Sequence, residues 1–516
     1  MIASVPAYAL PSTEELLVAG GDERIALDIF HHKNKYGCSA TPAANMIAFG
    51  SCTASGISAE GYATAERVRE QVALALKDAS PVDVYRREMQ RLRSNLLVLC
   101  GLCDTATDLV FAASGTDVHL IAAQLASTLA EGPLHVIMVC AEESGSGVPA
   151  ALGGRHFSSD TAAGMNAAKG EQVAPQAPAP GTLIHGVSVS HVAIRDASGG
   201  ARPLADIDAD TRQQVADAIQ AGKHVLLVAT DVSKTGCIAP SPQCAVQLQR
   251  EQNQQEQGGR LHVLIDACQW RIAHASLRAY LNHGFMVAIT GSKFASGPSF
   301  SGALLLPESL RERLQGQALS AAIHAYSIRE DWPEYHQAAQ ALEPGFNFGL
   351  LMRWQVALHE LRAFYAIPEA RARYFLQRFA ARVQQRLQED PCFEALDTTA
   401  LDRQALGHIP TWDEIPGIMA FIIKKPGQCA PLSNEQTRQI YERLQDHSYP
   451  HISPYLFQLG QPVACGERDG QPVSALRLCA SARLVVQAVA DAHGDGGDAI
   501  IEQAMLCFDE IAAMLR

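Results

Sequence analysis

Apolar residues between positions 96 and 307 follow two rhythms. One is a set of short, nearly uninterrupted runs at 108–113, 134–140, 224–229, 261–265, 285–289 and 303–306, most of them closed by a turn rich in Gly, Ser, Thr or Asp. Runs of that length without polar alternation read as strands buried on both faces. The other rhythm returns every three or four residues over 118–130, 205–221 and 276–282, and predicts helices. Strand and helix in alternation imply an α/β fold with a mostly parallel sheet. Past Pro307 the alternation stops. Helices are predicted over 308–315, 318–327, 350–365, 369–389 and 434–447, with an edge strand at 418–424 and a last sheet segment at 474–481. Ahead of the sheet, 13–17, 61–76 and 84–94 are helical in pattern, the second running on toward the third. Three parts follow: an opening segment of 1–95, a large domain of 96–345 and a small α+β domain of 346–516.

Composition narrows this picture without redirecting it. A chain of 516 residues that is 47% hydrophobic and 18% charged has material for two cores. The formal charge of −13 argues against nucleic-acid or anionic-membrane partners, which favour a basic surface. No stretch approaches the roughly 18 to 20 apolar residues of a membrane span, and the first residues lack the basic start of a secretory signal. The 13 Cys and 18 His form no paired metal spacing, so no metal is expected. Unpaired cysteines fit a reducing cytoplasm.

Candidate chemistry lies at the strand ends. The run 261–265 delivers Asp266, and the run 285–289 delivers Thr290-Gly291-Ser292-Lys293, followed by Gly297-Pro298-Ser299. A lysine that is partly desolvated becomes a nucleophilic amine able to hold an aldehyde as a Schiff base. A nearby carboxylate can keep a pyridinium nitrogen protonated. Upstream, 108–113 runs into Ser114-Gly115-Thr116-Asp117 and then a helix, a geometry that offers backbone N–H groups to a phosphate. No stretch has the GxxxxGK[ST] pattern of nucleotide-triphosphate binding.

Asp266-Ala267-Cys268-Gln269, Lys293 after 27 residues, Gly297-Pro298 and Gly302 together resemble the fold-type I pyridoxal-phosphate (PLP) enzymes, within them the class V aminotransferase and cysteine desulfurase group. The resemblance implies a seven-stranded-type sheet, a smaller C-terminal domain, PLP as cofactor, an amino-acid substrate and a homodimer. It further implies that Lys293 carries the cofactor, Asp266 faces the ring nitrogen and Gln269 the ring hydroxyl, with Thr290 and Ser292 beside them. Gly115 and Thr116 take the position of the phosphate cup. Ser233, in Asp231-Val232-Ser233-Lys234-Thr235-Gly236, stands where the group has an Asn beside the ring, and Lys234 is a weaker rival for the Schiff base. Arg477, inside an apolar segment, matches an arginine that grips the substrate α-carboxylate. Asn34 and Tyr36, in an opening segment that crosses the site mouth, are candidates for substrate contact. The ring-stacking residue is unassigned, with His156 and Phe157 in reach. Arg353 or Ser299 stands in for a phosphate contact usually made by the second subunit, unless that contact is missing. Desulfurases usually have His before the lysine; this chain has Ser292, and Cys429 is its one plausible sulfur acceptor. The reaction expected is therefore aminotransferase-like, with β- or γ-lyase (including desulfurase-type) chemistry as the alternative and a non-catalytic PLP-binding scaffold as the reading of another class.

Overall fold

The computed structural model describes residues 8–173, 186–254, 259–407, 411–425, 427, 430–490 and 496–516. Its strands are β1 (Met46–Ala48), β2 (Asp108–Ala112), β3 (Leu134–Val139), β4 (Val187–Val192), β5 (His224–Thr230), β6 (Leu261–Asp266), β7 (Met286–Thr290), β8 (Gly302–Leu306), β9 (Phe393–Ala395), β10 (Ile418–Ile423), β11 (Leu456–Gln458), β12 (Gly460–Arg468) and β13 (Gln471–Cys479). Seven of them form the central sheet in the order β2-β8-β7-β6-β5-β3-β4. Neighbours from β7 through β4 pair in parallel, and β8 alone runs against the rest, antiparallel to both β2 and β7.

Sequence dictates this sheet through burial on both faces. In β6, Leu261, Val263 and Ile265 pack into one core layer and Leu264 into the other; in β8, Ala303 and Leu305 oppose Leu304 and Leu306. The strand period of two thus feeds two helix-covered cores from one apolar run. Register then aligns the ends. Thr230 pairs with Asp266, Thr290 with Gly302, and Gly302 with Ala112, so the turns after β2, β5, β6 and β7 open on one edge of the sheet. In parallel α/β sheets that edge is where ligands bind.

A second, antiparallel sheet, β12-β13-β10-β9, carries Arg477 on its central strand β13, opposite Ala420 and Gly460. The strand expected at an edge, β10, is interior: it pairs with β13 on one side and with the three-residue β9 on the other. Two further expectations change. The segment 318–327 forms only a short 3₁₀ turn, Ala321–Ala325, and the two early helices are separate, Ala59–Ala75 and Pro81–Leu99, with Ser80 capping the second and Pro81 opening it. Both pack against the long helix Phe348–Tyr365. Part of the proline-containing loop at 164–181, expected to be mobile, lies outside the described residues.

Candidate active site

A cavity of about 230 Å³ opens at the carboxyl edge of the central sheet. It gathers residues from distant parts of the sequence: Tyr36, Gly115, Thr116, Asp266, Thr290, Ser292, Lys293 and Arg477 all line it. Asp266 and Lys293 arrive from β6 and from the turn after β7, as neighbouring strands require.

Asp266 is the best-defined member. Its Oδ1 accepts from the Cys268 amide at 3.1 Å, and its Oδ2 lies 3.3 Å from Nε2 of His119. The other ring nitrogen, Nδ1, is 2.6 Å from the Gly115 carbonyl and donates to it, which turns Nε2 toward the carboxylate. Burial works against ionisation of Asp266, yet His119 and Lys293 hold its carboxyl well below the usual carboxylate range. Conversely, burial lowers the His119 imidazole while Asp266 more than offsets this and raises it. His119 was missed in the sequence. Its signal is a lone histidine one turn after Gly115 on an otherwise apolar helix, Gly115–Thr128.

At the start of that helix Ser114 caps the Thr116 and Asp117 amides. A side chain at Gly115 would meet Cys268 Sγ and Thr290 Cγ2 at 3.0 Å, so glycine lets the helix start lie this close to the strand ends without pressing on either neighbour. Arg24, also missed, closes this end from the opening segment. It donates to Thr116 Oγ1 at 3.0 Å and Ser114 Oγ at 3.2 Å, is paired with Asp22, and lies 5.1 Å from the rings of both Phe157 and Phe300. Burial pushes the nearby Asp117 carboxyl up to about 6.

Arg477 is 2% exposed. Its Nη2 donates to Thr53 Oγ1 at 3.0 Å and to the Gln461 carbonyl, its Nη1 donates to the Lys234 carbonyl at 3.3 Å, and its Nε has no partner. At Gly460 a side chain would run into Cys52 Sγ and stand 3.0 Å from that Nε. Burial raises the Cys52 thiol, but Cys479, Arg477, Arg271 and Lys293 outweigh it and bring it down to about 6.

Three expected residues are not at the cavity. Ser233 is turned away, its hydroxyl donating to Glu143 Oε2 at 2.6 Å, because the turn after β5 passes through a left-handed Val232 (φ 63°); Lys234 lines the cavity in its stead. Gln269 donates to the Cys52 carbonyl at 3.0 Å from outside the lining. Asn34 accepts from the Tyr36 and Cys38 amides, so it shapes the loop that presents Tyr36. His156 bonds the Tyr326 hydroxyl at 2.7 Å, and Phe157 packs on the same ring; the β3 end presents Gly145, Ser146 and Val148 to the cavity. Arg353 is a structural clasp, donating to the carbonyls of Phe300, Leu16, Leu17, Ala19 and Gly20, while Ser299 lines the cavity with an unpartnered hydroxyl. Cys429 lies outside the described residues.

These residues fit PLP. Unpartnered buried atoms on Ser299 and Arg477 face the cavity, an acid kept ionised by His119 lies on one wall, a lysine on another, and a helix start bears hydroxyls and a guanidinium. Among the described residues no group of His, Cys, Asp and Glu could hold a metal ion, and no helix is long and apolar enough to cross a membrane.

The architecture is that of the fold-type I PLP enzymes. The chain is similar to the cystine C–S lyase C-DES, in a variant with glycine covalently linked to its PLP cofactor: 12% identity, 90% of this chain and 97% of that chain covered, TM-score 0.51. It is also similar to a NifS-like protein from Rickettsia africae (11% identity, 90% and 99% covered, TM-score 0.48) and a phosphoserine aminotransferase from Cytophaga hutchinsonii (12%, 89% and 98%, 0.48). At these identities the likeness to C-DES is one of fold. No protein-family model and no curated protein matches the chain.

Proposed function

We propose that this chain is a PLP-dependent enzyme that acts on a small amino acid, with an aminotransferase-like reaction. One observation carries the reading: Lys293 and Asp266, from neighbouring strand ends, line a single cavity together with the helix start at Gly115 and the guanidinium of Arg477. PLP, when bound, supplies an electron sink for negative charge developing at the substrate Cα. Lys293 would hold the cofactor aldehyde, and its amine, on the cavity wall, is the group that would move the proton at the substrate Cα. Asp266 stays ionised and keeps a proton on the ring nitrogen; His119 secures that ionisation. The Gly115 amide, the Thr116 hydroxyl and Arg24 would take the phosphate. Arg477 orients the substrate through its α-carboxylate, and Tyr36 borders the mouth. A cytoplasmic homodimer belongs to the same reading, and sedimentation at twice the chain mass checks the dimer.

The test is spectroscopic and covalent. Protein given PLP is expected to gain a visible band that borohydride removes, leaving the cofactor's mass on the peptide containing Lys293. Lys293→Ala is expected to lose that label and about 10³-fold or more of turnover. A protein that stays colourless at saturating PLP overturns the proposal. An amino acid should shift the band and a keto acid should restore it; ammonia released without keto acid would replace amine transfer by lyase chemistry.

A further inference from the structure

The cavity is charged in one direction. Arg24, Lys35, Lys234, Lys293 and Arg477 line it, against the one carboxylate of Asp266. Within the proposed function Lys293 holds the cofactor, Arg24 stands at the helix start with its own counter-ion Asp22, and Arg477 takes the α-carboxylate. Lys35 is exposed at the mouth, so Lys234 is the cation left over inside.

Lys234 sits on the turn after β5, half-buried, and among the described residues its amine donates only to the Ala141 carbonyl, at 3.2 Å. Among the described residues no carboxylate comes within ion-pair distance of Lys234 or of Arg477, whose Nη1 donates to the Lys234 carbonyl. Neither acid that acts on Lys234 from beside it supplies that partner. Glu143 pairs with Arg195 at 2.7 Å and accepts from the hydroxyls of Ser233 and Thr235, while Glu142 is exposed to water. Burial, with Arg477 and Lys293 beside it, pulls the Lys234 ammonium down to about 8. Two cations held together without an anion are destabilised, and a ligand that brings two negative groups relieves both at once.

We infer that the site selects α-amino acids that carry a second acidic group on the side chain, with Lys234 pairing with that group while Arg477 takes the α-carboxylate. The inference rests on the PLP reading of the same cavity. It makes Lys234 a specificity residue and gives no role to it in bond breaking.

Calorimetry on the PLP-loaded, full-length protein tests this with unreactive ligands: succinate and glutarate against butyrate and valerate. The diacids are expected to bind about tenfold tighter or better, the scale of one well-shielded ion pair. Lys234→Met should bring the two kinds of acid within about threefold of each other and leave the monoacids unchanged, whereas Lys234→Arg should keep most of the preference. Spectral titration with aspartate, glutamate and phosphoserine, each against its neutral partner asparagine, glutamine or serine, then separates side-chain carboxylate from phosphate. Equal affinity for mono- and diacids, a preference untouched in Lys234→Met, or a borohydride label on Lys234 overturns the inference while leaving a PLP enzyme in place. No visible band on addition of PLP removes that underlying reading, and the inference falls with it.

Discussion

Two guanidinium groups in this chain are equally hidden from water and oppositely furnished. Arg403, 1% exposed, gives Nε and Nη2 to the two oxygens of Asp231 at 2.8 and 2.5 Å, Nη1 to the Asp413 carbonyl at 2.6 Å, and a further bond to the Arg271 carbonyl at 3.3 Å. The Tyr280 hydroxyl completes Asp231 at 2.9 Å, and Asp413 is itself held by the Ala273 amide and the Ser276 hydroxyl. Arg477, 2% exposed, has one hydroxyl, two carbonyls and an idle Nε, with no carboxylate among the described residues. A closed network is architecture, because each charge offsets another's loss of water. An open one at the rim of a cavity is a receptor: its missing partner must come from outside.

Substitutions can break this contrast. The largest effect is expected from Asp231→Ala, which strands Arg403 and should cost about 3–5 kcal/mol in urea unfolding. Arg477→Ala should cost little in the same unfolding experiment, yet weaken amino-acid binding about a hundredfold in spectral titrations, as the loss of a two-pronged charged contact does. Were Arg477→Ala to unfold the protein while Asp231→Ala left it stable, the contrast would be reversed. Next in size, His119→Ala frees Asp266 from its cation; kcat should fall about tenfold, with the acid limb of the pH profile moving upward because the Asp266 pKa rises. The smallest effect concerns Lys234. Its ammonium is charged below about 8, with Arg477, Lys293, Glu143 and Glu142 around it, so any preference for diacids should decline as pH rises through that value. Diacid and monoacid affinities measured from pH 6.5 to 9.5 check the sign.

How far the sequence reaches is visible in the same residues. Asp266, Lys293, Gly115 and Thr116 stand at the ends of apolar runs, and a parallel sheet sends all such ends to one edge, so pattern alone brings them together. Arg24 reaches the cavity through contacts that no local pattern encodes, while His119 leaves only the faint mark of a lone histidine one turn after Gly115. Ser233 and Lys234 are adjacent, and which of them faces inward is decided by one left-handed residue, Val232, that no glycine announces. The interior position of β10 was hidden because its second neighbour, β9, is three residues long. Strand β4 reads Val-Ser-Val-Ser-His-Val, the alternation of a half-exposed edge, which a search for unbroken apolar runs does not pick up.

The clasp at Arg353 bears on how this pocket comes into being. A guanidinium more than three hundred residues downstream gathers the carbonyls of Leu16, Leu17, Ala19 and Gly20, just ahead of Arg24 and Tyr36. The segment that carries Arg24 and Tyr36 is therefore made before the helix that fastens it, and before β13 delivers Arg477. The pocket is thus incomplete until β13 has been made, and a chain halted before residue 353 holds Lys293 and Asp266 with neither strap nor receptor.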